Sequence, residues 1–165
     1  MHNASQLHSL EKIGISYWID KTSFFPLVIT HPVIFASCFV VVLSPPLKEG
    51  TEAYKILTGM LKVLALPADE YCIGWISPNL VKSEYTDMSG IFRVFNMLKP
   101  KQVLILGKRL GDSLFASLSM GNKNKPFDFG LEITYHPDEL IEKPEYKREA
   151  YRELLCLKEV LTTRP

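Results

Sequence analysis

The chain has 165 residues, 47% of them apolar and 22% charged, with a formal net charge of +1. That length suits one domain, which buries roughly two-thirds of its unfolded surface on folding. The near-neutral balance excludes a uniformly basic nucleic-acid-coating surface, though not a local patch.

Met1 to Lys12 is polar and no apolar segment follows it directly, so no secretory leader is expected. Leu10 and Ile13, with Leu7, suggest one face of a short helix ending at Gly14. Ile15 to Ile19 reads as extended and carries Tyr17 and Trp18. This aromatic pair fits either a cap on the edge of a sheet or a partner-binding arm. Leu27 to Thr30 is a short strand, broken by His31-Pro32. Val33 to Leu43 then reads as a buried strand, continuously apolar except for Ser37, as a central parallel strand requires when helices cover both its faces. Its 11 residues are too few to span a bilayer. Pro45 and Pro46 end it, since neither can donate to a ladder.

Gly50 to Leu66 has helical periodicity. Thr51 stands as N-cap and Glu52 lies in the first turn, where the helix dipole favours negative charge. Ala53, Ile56, Leu57, Met60, Leu61 and Leu64 share one face. Tyr71 to Ile76 is the next strand. Asp87 to Leu98 is a helix with Ile91, Val94, Phe95 and Leu98 inward. Gln102 to Leu106 is a strand closed by Gly107, and Lys108 to Leu118 a helix on Leu110, Leu114, Phe115 and Leu118. Leu131 to Tyr135 is the last strand. Pro144 to Leu161 is the closing helix, with Tyr146, Ala150, Tyr151, Leu154, Leu155 and Leu157 giving an apolar side. Alternation of strand and helix predicts right-handed crossovers onto a mostly parallel, four-stranded central sheet in a three-layer α/β/α architecture.

Ligands of such sheets bind outside the carboxyl ends of the strands. Here those ends are Ser44 to Gly50, Ser77 to Asn79, Gly107 to Arg109 and His136 to Asp138. His136 follows a strand and precedes Pro137, which stiffens the turn. It suits a donor to a developing negative charge, a phosphate contact, or a simple hydrogen bond to turn backbone. Lys108 and Arg109, at a helix start, suit a phosphate or open water. Spacings for a zinc site, a dinucleotide fingerprint, a P-loop and a nucleophile elbow are missing. Cys38, Cys72 and Cys156 are three scattered thiols with apolar neighbours. They read as free and buried in a reducing compartment, and three thiolates are too few for a Cys₄ iron–sulfur cluster. Neither a metal nor a cofactor is expected.

Ile133-Thr134-Tyr135-His136-Pro137-Asp138-Glu139-Leu140, followed by Pro144, Lys147 and a helix through Leu154 and Leu157, resembles the C-terminal motif of the uracil-DNA glycosylase superfamily. Val103 to Lys108, and Tyr54 to Leu66 with Tyr71-Cys72-Ile73, resemble other pieces of the same fold. The resemblance covers Val40 to Leu157 and implies a glycosylase-like body in which His136 matches the catalytic-loop histidine. The chain departs from the active enzymes after the first core strand. Where they carry Gly-Glu-x-Pro-Gly, this sequence reads Leu43-Ser44-Pro45-Pro46-Leu47-Lys48-Glu49-Gly50, without the water-positioning residue at its usual offset. The four cluster cysteines of the iron–sulfur branch are missing as well.

Leu10-Glu11-Lys12-Ile13-Gly14-Ile15-Ser16-Tyr17-Trp18 is similar to the start of the psi subunit family of bacterial DNA polymerase III. That family looks like a reduced, non-catalytic version of the same fold. The resemblance implies an arm over residues 1–20 and an α/β domain over 21–165. It further implies an adaptor without chemistry of its own. Leu10, Ile13, Ile15, Tyr17 and Trp18 would engage the clamp loader, and the body would meet a chi-type subunit that contacts single-stranded DNA-binding protein. The expected setting is the cytoplasm, away from any membrane. The alternative is a base-excision enzyme in which His136 stabilises the departing base.

Overall fold

The computed structural model describes residues 15–17, 27–30, 36–43, 45–77, 89–121 and 128–163. Continuous apolar runs become the central strands, and segments of helical period become the layers that cover them. In chain order the elements are β1 (Ile15–Tyr17), β2 (Leu27–Thr30), β3 (Cys38–Leu43), α1 (Glu52–Leu64), β4 (Tyr71–Ile76), α2 (Ser89–Leu98), β5 (Gln102–Leu106), α3 (Lys108–Gly121), β6 (Gly130–Thr134) and α4 (Pro137–Glu142). A 3₁₀ turn over Pro144–Tyr146 leads into α5 (Lys147–Thr163).

The strands form one sheet of six, in the order β1-β2-β4-β3-β5-β6. β4, β3, β5 and β6 are mutually parallel. This is the expected parallel centre. β2 adds to β4 antiparallel, and β1 adds antiparallel to β2 as the edge strand. The sheet therefore extends two short strands beyond the four that strand–helix alternation predicts. Ile15 and Tyr17 of the expected arm lie in β1. Leu10, Ile13 and Trp18 fall outside the described residues.

The two faces of the sheet carry separate cores. On one side Phe39, Val41, Val103 and Ile105 meet Val94 and Phe95 of α2 and Leu110 and Leu114 of α3. On the other, Cys38, Val40, Val42, Leu104 and Leu106 meet Leu57, Met60 and Leu64 of α1, Leu140 of α4, and Ala150, Leu154 and Leu157 of α5. That division makes the three layers. It also explains the lack of polar–apolar alternation in β3 and β5, whose residues are all buried apart from Leu43 at the end of β3. The side chains of Ile91, Phe115 and Leu118 are not among those described.

Local chemistry sets the ends of the elements. Thr51 caps α1 as expected, its Oγ1 accepting from the Tyr54 N–H at 3.2 Å. Ala65 closes that helix in the left-handed region. Four expectations need correction. The strand read from Val33 begins at Cys38, because Ser37 bends the chain just before it. The closing helix opens with a 3₁₀ turn at Pro144 rather than as a single α-helix. Tyr151 is 52% exposed instead of belonging to the apolar side, because Ala150, Leu154 and Leu157 alone complete the buried stripe. Cys156 is exposed, unlike Cys38 and Cys72.

Candidate functional site

Helix α4 is absent from the sequence expectations, yet it organises the site. His136 is its N-cap, Pro137 its first residue and Glu139 the third. The His136 Nδ1 accepts the N–H of Asp138 at 3.2 Å, and the Glu139 carboxylate accepts the N–H of His136 at 2.7 Å. This is a reciprocal capping box with imidazole in the place of the usual hydroxyl. Histidine is an uncommon cap, so the signal in His136-Pro137-Asp138-Glu139 is legible only through the proline and the glutamate.

The cap fixes the chemistry of the ring. Because Nδ1 accepts an N–H, the neutral imidazole carries its proton on Nε2. His136 is 9% exposed, and its Nε2 is buried without a protein partner. Burial lowers its pKa, with the Asp138 and Glu139 carboxylates opposing that shift. The Asp138 carboxylate lies 3.4 Å from Nδ1. At neutral pH the side chain is thus a neutral donor held in place by its own helix. Behind it stands Gly107, at φ +120°, whose N–H donates to the Thr134 carbonyl at 2.8 Å. A Cβ there would lie 3.8 Å from the Cβ of His136, so space permits alanine, but the backbone conformation favours glycine.

A cleft of about 500 Å³ opens beside His136. Its walls are Leu43 at the end of β3, Pro45, Pro46, Leu47 and Lys48 after it, Thr51 and Ala53 at the start of α1, and His136 and Asp138 at the start of α4. The fold thus joins two of the four expected strand ends, those after β3 and β6. Ser77, Lys108 and Arg109 do not line it, and 78–79 lie outside the described residues.

Lys108, a candidate phosphate contact, is occupied elsewhere. Its Nζ donates to Glu153 at 2.7 Å and to the Ile133 carbonyl at 3.2 Å, and it stands 4.7 Å from the centre of the Tyr135 ring. Tyr135 stacks on Tyr146 at 4.6 Å and donates to Glu149 at 2.9 Å. That bond pushes the Tyr135 pKa up to about 12. Glu132 also titrates upward, through burial and then the nearby Glu153 carboxylate. Sequence reading misses this network because its members come from α3, β6 and α5. Arg109 is exposed.

Among the described residues there is no cluster of three or more potential metal ligands, and no helix is long and apolar enough to cross a membrane. No protein-family model and no curated protein matches the chain.

Proposed function

We propose that the chain is a non-catalytic adaptor of the psi type, built on a glycosylase-like body and joining a bacterial clamp loader to a chi-type subunit. Through that subunit it is linked to single-stranded DNA-binding protein in the cytoplasm. The observation that carries this reading is the make-up of the cleft lip. Base excision needs a carboxylate or amide to position water opposite the departing base. At the end of β3 and just beyond it the wall is instead Leu43, Pro45, Pro46 and Leu47, which offer neither. The carboxylate on the wall, Asp138, lies against Nδ1 of His136.

The arm supplies the recognition. Leu10, Ile13, Ile15, Tyr17 and Trp18 are its contact residues, with the aromatic pair as anchors, since buried aromatics dominate interface energetics. Because β1 is an edge strand, a partner reaches this segment without disturbing either core. Ordering an arm costs conformational entropy, which apolar burial must exceed.

The test is co-purification of the full-length chain with clamp-loader subunits. The expected result is binding at low micromolar concentration or tighter, weakened about tenfold or more by Trp18→Ala. No binding in that range would overturn the proposal.

A second reading, uracil-DNA glycosylase-like excision, draws support from the unpartnered Nε2 of His136 beside the cleft. Its test is release of uracil from single-stranded DNA. Release that disappears in His136→Ala would establish this reading and rule out a purely adaptor role.

A further inference from the structure

β6 ends the sheet on the side away from β1, and among the described residues it is paired on one side only, to β5. Two hydrogen bonds fix the direction of its backbone. The Gly130 N–H donates to the Lys101 carbonyl at 3.0 Å, and the Thr134 carbonyl accepts the Gly107 N–H at 2.8 Å. Gly130 and Thr134 thus turn these groups towards the β5 side. Alternate residues of a strand point the same way, so Leu131 and Ile133 turn their backbone groups to the outer edge. Such an edge is a template for another strand, and folded proteins blunt it, often with lysine.

Lys108 occupies this edge. It begins α3, whose Leu110 and Leu114 pack on one face of the sheet. Its partner at 2.7 Å, Glu153, belongs to α5, whose Ala150, Leu154 and Leu157 pack on the other face. The side chain therefore passes round the rim of the sheet from one layer to the other. On the way its Nζ donates to the Ile133 carbonyl at 3.2 Å, one of the outward-pointing groups. It also stands 4.7 Å from the centre of the Tyr135 ring, which Tyr146 and Glu149 hold in place. The anchor has a cost. Glu153 Oε2 is buried without a partner, and an unmet buried acceptor is unfavourable. The bridge is thus a poor stabiliser, and its geometry suits the exclusion of a wrong neighbour instead.

We propose that the Lys108–Glu153 bridge is a lock on the β6 edge, which keeps this strand from pairing with β6 of a second copy of the chain. A second copy is the occupant this edge fits. Two identical edges meet as a self-complementary surface about a two-fold axis, and a net charge of +1 puts little repulsion between copies. The lock acts at the edge opposite the arm, so it stands or falls separately from the adaptor reading.

The experiment is analytical ultracentrifugation of the full-length wild type, Lys108→Met and Glu153→Leu, joined to hydrogen exchange at the Leu131 and Ile133 amides. Methionine keeps the apolar stem of the lysine without its charge. Leucine removes the anchor together with the buried, unpartnered oxygen, so the two variants open the lock from opposite ends. Circular dichroism reports whether each is folded. The wild type is expected to sediment as a monomer with fast exchange at both amides. Each variant is expected to self-associate at least about tenfold more tightly, with exchange at both amides slowing as protein concentration rises. If one variant fails to fold, the other decides by the same criteria. A folded variant that sediments like the wild type would overturn the lock. So would association that leaves Leu131 and Ile133 unprotected, a wild type already paired through β6, or loss of the fold in both variants, which would make the bridge purely structural.

Discussion

Cys38 and Cys72 lie on neighbouring strands but face opposite cores, so proximity in the sheet gives them no route to a disulfide. Burial pushes both thiols up to about 12, which leaves essentially no thiolate at neutral pH. Alkylation of the native protein should therefore modify Cys156, with Cys38 and Cys72 reacting only after denaturant is added. Mass spectrometry of the labelled chain would check this; native labelling of Cys38 would contradict the packing of β3. His136 sets a pH dependence of definite sign. Its folded pKa lies below the ordinary 6.5, so the unfolded chain binds the proton more readily. The stabilisation from the neutral, capping ring is complete above about 6.5 and falls as pH drops towards the lowered folded value. Thermal melts should show the wild type losing melting temperature as pH falls below about 6.5, a loss that His136→Asn lacks, whereas above it the two should run parallel. Glu132 acts in the other direction, because its raised pKa costs stability as pH climbs above 4.5. Glu132→Gln should accordingly raise the melting temperature at pH 7.

The contact between α3 and β6 is tight enough to depend on a missing side chain. A Cβ at Gly111 would collide with the Cγ2 of Ile133, an atom bonded directly to that residue's Cβ, and Gly111 is itself buried. Gly111→Ala should destabilise the fold by about 1–3 kcal/mol, as overpacking does. Shortening the opposing residue with Ile133→Ala should recover part of that loss in a chemical-denaturation double-mutant cycle. Helix α4 illustrates a different dependence. It has six residues, too few to hold itself in water, and is maintained by its capping box and by Leu140 in the core shared with α1 and α5. Periodicity could not announce so short an element, whereas α1, with four buried residues at helical spacing, is plain in the sequence.

At the scale of the molecule, stability should be graded across the sheet. β3 and β5 are paired on both sides, and Val40, Val41 and Leu106 have no exposure, while β1 contributes three residues to a single ladder. Hydrogen exchange should be slowest in β3 and β5, near the global unfolding limit, and fastest in β1. Equal protection across all six strands would be inconsistent with this gradient. A loosely held edge strand also suits a segment proposed to engage a partner, since its opening leaves both cores intact.

The sequence by itself determined the three layers and the parallel centre. Unbroken apolar runs bounded by proline and glycine must be covered on both faces, and the intervening helical periods supply the cover. It also singled out His136 and the strand end after β3. Only the tertiary structure decided which strand ends share a cleft, because the order β4-β3-β5-β6 follows from packing rather than from chain order. It likewise decided that Lys108 is tied to Glu153 and Tyr135, 45 and 27 residues away, instead of facing a ligand. And it turned His136 from a residue in a turn into a capped, neutral donor. Its burial and the direction of its proton depend on neighbours that no local pattern reveals.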